Sequence, residues 1–367
     1  MTDVKKIAII GVGLIGGSLG LAIKKLPDAP QVLGFSLSKK TTQKAVKTGA
    51  IDIACQNIDE CVKEADIIFV ATPVSNIVDI VREISSKVKD GAIISDVGST
   101  KSSIVKTIEE FLPENVHFIG GHPVTGSEND GIDYASATLF RNFYYVLTPT
   151  NATDSNAFKV LHTLLTSIGA NVIAVSADKH DQILATLSHL PHMVAASLVN
   201  MASKQVAEKQ NWLLLAAGGF RDTTRIAASK PAIWLDICLE NKQALVENLR
   251  EFEKSLKELT ALIEEGDTEK LRQVLTKARD TRLSLPVAGK KDLSQMRQLM
   301  LLVSDKPGVI SEIGLTLGSS GINIEDIEIV PLTETTGFLR LTVLGEKQAA
   351  SAQKALQKKG YSVEIKQ

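Results

Sequence analysis

Several protein classes are excluded by what this chain has little of. It holds only three cysteines in 367 residues, Cys55, Cys61 and Cys238, an odd number without CxxC spacing. That rules out a disulfide framework and a thiolate metal site, so no metal is expected, and it points to a reducing, cytoplasmic setting. Net charge is nearly absent: 41 Lys and Arg stand against 42 Asp and Glu. Without a broad basic surface the chain is not expected to bind nucleic acid or an anionic membrane, and any anionic ligand must be held locally. No charged-apolar-cleavage order precedes Val4 to Ile10, and no apolar run stands out at membrane-spanning length. A soluble, unprocessed chain is the expectation.

At this length one hydrophobic core is rarely enough, so two or three domains are expected. From Lys6 to about Val175, β-rich apolar runs (Ile7 to Ile10, Gln31 to Phe35, Ile67 to Ala71, Ala92 to Asp96, His117 to Gly120) alternate with amphipathic stretches. This is the α/β alternation of a Rossmann-type parallel sheet. Runs at Phe143 to Leu147 and Asn171 to Ala174, around a helix at 156–168, could extend that sheet. From Ala177 to Arg282 the periodicity is helical. Within it Leu245, Leu249, Phe252, Leu256, Leu259 and Ile263 form one apolar stripe that needs a partner, either the monomer's own core or a second copy in a helix-rich dimer. A Pro, Gly and Lys stretch from Leu285 reads as a linker, and the runs beyond it follow a βαββαβ order, a ferredoxin-like unit. The expected division is therefore 1–176 dinucleotide-binding, 177–284 all-helical, 285–297 linker and 298–367 ferredoxin-like.

The first strand leads into Gly11-Val12-Gly13-Leu14-Ile15-Gly16-Gly17-Ser18 and then an apolar helix. In that context GxGxxG is a dinucleotide signature: Gly11 for the turn, Gly13 for close approach to the pyrophosphate, Gly16 for helix-sheet packing, and the helix N-terminus at Leu14 and Ile15 for the phosphates. The acid that usually ends the second strand is replaced by Ser36, with Ser38, Lys39 and Lys40 beyond it. Serine can bond a ribose hydroxyl, whereas hydroxyls with lysines can hold a 2′-phosphate; NAD is the first reading and NADP stays open. Ala71-Thr72-Pro73 and Asp96-Val97-Gly98-Ser99 follow later strands, where ligands bind in such folds.

Farther along, His122 lies in the glycine-rich stretch Gly120 to Glu128 and reads as a loop base able to accept a hydroxyl proton. Ser188-His189-Leu190-Pro191-His192 interrupts a helical pattern, and Pro191 should kink it, turning two imidazoles into a polar pocket. Arg221 and Arg225 after Gly218-Gly219 suggest a carboxylate clamp, with pairing to Asp222 or another acid as the alternative for Arg221.

These motifs, Gly11 to Ser18, Asp96 to Lys101, Gly120 to Glu128, Ser188 to His192 and Gly218 to Arg225, together resemble the prephenate dehydrogenase family over roughly residues 6–282. Residues 299–365, with Asp305-Lys306-Pro307-Gly308-Val309 and Gly321-Ile322-Asn323-Ile324, resemble an ACT regulatory domain. The resemblance implies oxidative decarboxylation of prephenate to 4-hydroxyphenylpyruvate, with arogenate as the alternative substrate. It implies His122 as base, Ser99 beside the nicotinamide, His189, His192 and Trp234 in the pocket, Arg225 on the ring carboxylate, and Ser127 and Glu128 at the entrance. In the ACT portion the Asp305 to Val309 loop before a helix offers free backbone N–H groups suited to an amino acid carboxylate, so tyrosine is the expected effector there and at Asn323, the alternative being an ACT unit kept for dimerisation without a ligand; a homodimer is expected. Two other readings are a related hydroxyacid dehydrogenase, which would need a catalytic lysine in the helical segment, and a non-catalytic NAD-sensing regulator.

Overall fold

The computed structural model describes residues 4–126, 129–207, 216–285, 296–304, 306, 308–324, 326–331 and 336–366. They pack as two compact units, 1–275 and 276–367.

The first unit starts as a doubly wound α/β fold, in the order β1 (Lys6–Ile10), α1 (Leu14–Ile23), β2 (Gln31–Phe35), α2 (Lys39–Lys47), β3 (Ile53–Ala54), α3 (Ile58–Val62), β4 (Ile67–Val70), α4 (Val74–Ile84), β5 (Ile93–Asp96), α5 (Ser102–Glu109) and β6 (His117–Phe118). Sheet order is β3-β2-β1-β4-β5-β6, all parallel, so chain order reverses between β1 and β4. Alternate residues of β1 feed opposite cores. Ile7 and Ile9 pack with α1 and with the later helix α6 (Ser155–Ser167), whereas Ala8 and Ile10 pack with α3, α4 and α5. Burial on both faces explains the near-continuous Ile and Val of these strands.

The later strands do not extend this sheet. β7 (Gly120–Pro123), β8 (Tyr144–Thr148) and β9 (Asn171–Ala174) form a separate sheet in which β7 runs antiparallel to β8. The run from His117 therefore splits at buried Ile119, and His122 sits on a strand rather than in a loop. The glycines are there for close packing. A Cβ on Gly120 would fall 2.3 Å from Thr148 Oγ1, and one on Gly121 would fall 2.7 Å from the Asp96 carbonyl oxygen.

Helices follow: α7 (Ala177–Leu184), a π-helical segment Ala185–His189, α8 (Leu190–Ala207), α9 (Gly218–Thr224), a 3₁₀ turn Arg225–Ala228, α10 (Pro231–Glu240), α11 (Lys242–Glu264) and α12 (Thr268–Ser284). Pro191 lies inside a continuous helical stretch just after the π-helical segment, so the irregularity at its missing N–H is a π-turn rather than a break. By length and composition the continuous stretch Ala177–Lys204 is apolar enough to cross a membrane, contrary to the sequence expectation. Its buried His180, Asp181, His189 and His192, bonded to or stacked on neighbouring elements, mark it as a packed helix of this unit. On α11, Leu245 is buried and Phe252 and Leu259 are half-buried, but Leu249, Leu256 and Ile263 are 37%, 48% and 61% exposed, so half of the stripe is left uncovered by the described residues of the unit.

In the second unit β10 (Met296–Ser304), α13 (Val309–Ser319), β11 (Asp326–Pro331), β12 (Thr336–Leu344), α14 (Glu346–Lys358) and β13 (Val363–Lys366) give the expected βαββαβ order. The antiparallel sheet is ordered β11-β12-β10-β13 over a core that includes Leu299, Leu301, Leu317, Leu341 and Leu356. Met296 and Arg297, read as linker, open the first strand, and residues 286–295 of that linker lie outside the described residues.

Gly121→Ala should destabilise the first unit by about 1–3 kcal/mol, as overpacking of a filled site does. Gly219→Ala, where a Cβ meets nothing within 4 Å, should be neutral or stabilising. Urea denaturation of both variants measures the contrast.

Candidate active site

At the carboxyl end of β1, Gly11 has φ +95° and faces the Ala71 carbonyl, where a Cβ would be 2.3 Å away. Gly16 lies against Gly11, its Cβ position 2.1 Å from the Gly11 carbonyl oxygen, so helix and turn touch backbone to backbone. Above Gly13 there is open space within 4 Å, and no side chain caps the start of α1. The first-turn N–H groups, at Leu14 and Ile15, therefore stand at the switch point between β1 and β4, next to the Ala71-Thr72 stretch that Gly11 touches, where ligands bind in such folds. The buried Thr72 hydroxyl has no protein partner. Beyond β2, Ser36 is half-buried. Ser38 accepts a hydrogen bond from the Thr41 N–H and caps α2, and Lys39 and Lys40 are exposed in its first turn.

A second set of groups gathers beside the end of β5. Asp96, fully buried, accepts from the Gly98 N–H at 2.8 Å and the Gly121 N–H at 3.1 Å, and pairs with the equally buried Lys101 ammonium. This grips the loop carrying half-buried Ser99 against the strand carrying His122. The His122 Nδ1 lies 2.8 Å from His180 Nε2, and His180 Nδ1 lies 2.7 Å from Asp181 Oδ1. Asp181 also accepts the backbone N–H groups of Lys101 and Ser102, both at 2.8 Å, and so caps α5 from another segment of the chain. Asn241 donates to the Asp181 carbonyl at 2.8 Å and stands 3.2 Å from His189 Nδ1.

The expected pocket histidines converge on Trp234. His192 stacks on its indole at 3.5 Å between ring centroids, and His189 meets it edge-on at 6.2 Å. His189 Nε2 and His192 Nδ1 are buried and have no hydrogen-bond partner among the described residues. Burial, first, then His180, Lys101 and His189 nearby hold the pKa of His122 well below the ordinary 6.5. Burial pushes His189 down to about 4, against the opposing pull of Asp181. Asp181 is held below 3.8 although burial opposes it, because His180 and the two backbone N–H groups bond its charged form. Neutral imidazoles are what a proton-accepting site requires at neutral pH.

Other expected residues fall differently. Arg221 donates from Nε to the Ala216 carbonyl at 2.9 Å, engaging backbone instead of an acid. Arg225 is exposed at the start of the 3₁₀ turn, just past the end of α9. Ser127 and Glu128 lie outside the described residues, as do Asp305 and Pro307. Gly308, with φ +96°, stands at the N-terminus of α13 with no side-chain cap, Val309 opens that helix, and Asn323 follows its end. The sequence points to no role for Lys101, His180, Asp181 or Asn241, and to Asp96 only as part of a strand end where ligands bind. The available signal was His180-Asp181, an ionisable pair in a helix that later packs into the core.

A switch-point cleft with bare helix N–H groups, beside neutral imidazoles and a buried polar bracket, defines a nicotinamide-dependent dehydrogenase. Comparison with known proteins specifies which: the chain belongs to the prephenate dehydrogenase family. Residues 19–174 match the nucleotide-binding domain of prephenate dehydrogenase, 176–277 its dimerization domain, and 297–360 the ACT domain. Prephenate dehydrogenase of Bacillus subtilis is 36% identical over 357 residues, covering 96% of this chain and 95% of that protein. The crystal structure of A. aeolicus prephenate dehydrogenase in complex with hydroxyphenyl propionate and NAD+ superposes with a TM-score of 0.72 at 30% identity, over 77% of this chain and 99% of that one. Synechocystis arogenate dehydrogenase gives 0.67 at 33% identity, over 76% and 98%.

A histidine held below pKa 6.5 binds fewer protons folded than unfolded, so the stability it contributes is complete above about 6.5 and is lost as pH falls. For His189 that loss runs from 6.5 down to about 4. Melting temperature should fall across this window, and less steeply in His189→Asn; a wild-type profile flat over it would show that these rings are not held neutral.

Proposed function

We propose that this chain catalyses the oxidative decarboxylation of prephenate to 4-hydroxyphenylpyruvate with NAD, a step of L-tyrosine biosynthesis. The observation carrying this reading is His122, half-buried and held low in pKa by burial, on a strand that Asp96 ties to the Ser99 loop and with its Nδ1 on His180. The residues fit the cofactor: open space over Gly13 and an uncapped α1 leave room and donors for a pyrophosphate. When bound, NAD supplies the acceptor for the hydride leaving the ring carbon that bears the hydroxyl. His122 Nε2 takes the hydroxyl proton, and Ser99 bonds the same oxygen. As the ring carboxylate leaves as CO2, the electrons of its bond stay in the ring, which becomes aromatic. The proton returns from His122 to the ring oxygen, so none is gained or lost. Arg225 holds the ring carboxylate, and His189 and His192 bind the side chain against Trp234.

We further assign 1–176, 177–284 and 298–367 as the cofactor, substrate and regulatory segments. A second copy covers the exposed α11 stripe, consistent with the dimerization domain of the family. Tyrosine is the proposed effector, bound at the turn that precedes α13, in a cytoplasmic enzyme.

His122→Asn should lower kcat by about 10²–10⁴-fold, the range lost with a positioned general base, while NAD affinity stays near wild type. The absorbance of reduced nicotinamide, followed with prephenate and arogenate each crossed with NAD and NADP, identifies the pair used. Turnover with arogenate alone would reassign the substrate.

Deleting residues 292–367 should abolish tyrosine inhibition and leave basal turnover; inhibition that survives would remove the regulatory assignment.

A further inference from the structure

The pair His180-Asp181 has no place in the chemistry described so far. His180 is 1% exposed and Asp181 4%, and both lie on α7, 58 and 59 residues from His122. A buried histidine is most simply a packing residue with one satisfied nitrogen. His180 has both nitrogens engaged, in line between a carboxylate and the proposed base.

For His122 to take a proton at Nε2, as the proposed base, its own ring proton must sit on Nδ1, and that requirement sets the hydrogen-bond roles along the chain. Asp181 is ionised and can only accept, so the proton of His180 resides on Nδ1. His180 Nε2 is then a lone pair, and His122 must donate to it from Nδ1. That leaves the His122 lone pair on Nε2, the nitrogen not engaged by the protein. The opposite tautomer of His122 would set two lone pairs against each other at 2.8 Å. Losing one buried hydrogen bond biases the equilibrium roughly 10- to 100-fold. The ring centroids, 5.0 Å apart at 77°, are those of an edge-to-edge N–H···N contact rather than a stack.

We infer that His180 and Asp181 are positioning residues for the reaction, a relay that fixes the tautomer of His122 and offsets the positive charge His122 acquires when it takes the hydroxyl proton. No proton needs to pass along the chain. On protonation at Nε2, His122 keeps its Nδ1–H on His180, and the Asp181 carboxylate lies one ring farther on. Asp181 is rigid enough for this because two backbone N–H groups at the start of α5 hold its oxygens. The logic is that of a catalytic triad carboxylate, with a second imidazole interposed.

The inference rests on His122 being the base, and its test separates the two. In full-length protein carrying ¹⁵N-labelled histidine, long-range correlation spectra distinguish protonated from bare ring nitrogens for the six histidines of the chain. Wild type should show His122 protonated at Nδ1. His180→Phe, which keeps an aromatic ring and removes the acceptor, should give His122 mixed tautomers. It should also lower kcat by between about tenfold and 10⁴-fold, the span from outer-shell losses to removal of a triad carboxylate. KM for substrate and cofactor should stay within about twofold. His180→Gln, whose amide oxygen can accept from His122, should recover part of that loss, and it carries the same readouts if His180→Phe does not fold. An unchanged His122 tautomer in these variants, or a loss confined to KM, overturns the relay. Full activity of His122→Asn would instead overturn the base assignment while leaving the tautomer result standing.

Discussion

The Asp181 carboxylate is the constraint on which the site depends. Its oxygens take the first N–H groups of α5, a cap of a kind worth about 0.5–2 kcal/mol, and one of them also takes His180. Its own backbone carbonyl takes Asn241, which reaches His189. Through one residue of the helical segment, the loop bearing Ser99, the strand bearing His122 and the helix bearing His189 are held in common. Ionisation of Asp181 is secured by the same donors, so geometry and charge have one origin.

The second bracket, Asp96 with Lys101, works from the other side. Both are fully buried, and burying such a pair rarely stabilises more than an apolar substitute would. What it does here is positional: Asp96 bonds Gly121 and Gly98 as well as the lysine. Burial depresses the Lys101 pKa while Asp96 opposes the shift, and the cation adds to the effects that keep His122 neutral. Glycine at 120 and 121 is the steric condition for the arrangement, since any side chain would push the strand off Asp96 or Thr148.

Much of this was legible along the chain. Strand, glycine turn and helix at the start, the βαββαβ order at the end and the proline beside two histidines are local patterns, and local patterns survive folding. His122 was read in a loop because paired glycines usually mark turns; here they serve contact between a strand and the layer beneath it. The second sheet escaped notice because Ile119 carries the chain from one sheet to the next without any break in the apolar run. Asp181, Asn241 and the relay were out of reach for a different reason. Their roles come into being only when segments 58 to 80 residues apart are brought together, and nothing in the composition of either segment records that.

The π-helical segment at Ala185–His189 has a consequence for helical phase. Such a segment amounts to one residue inserted into an α-helix, and each residue turns the helix by about 100°. The His192 side of α8 therefore points at Trp234 because of a single extra residue upstream. Lineages that lost that residue would carry the same histidines on another side of the helix. In this fold the gap pattern between Asp181 and His189, more than the identity of the residues in it, encodes the direction in which the pocket faces.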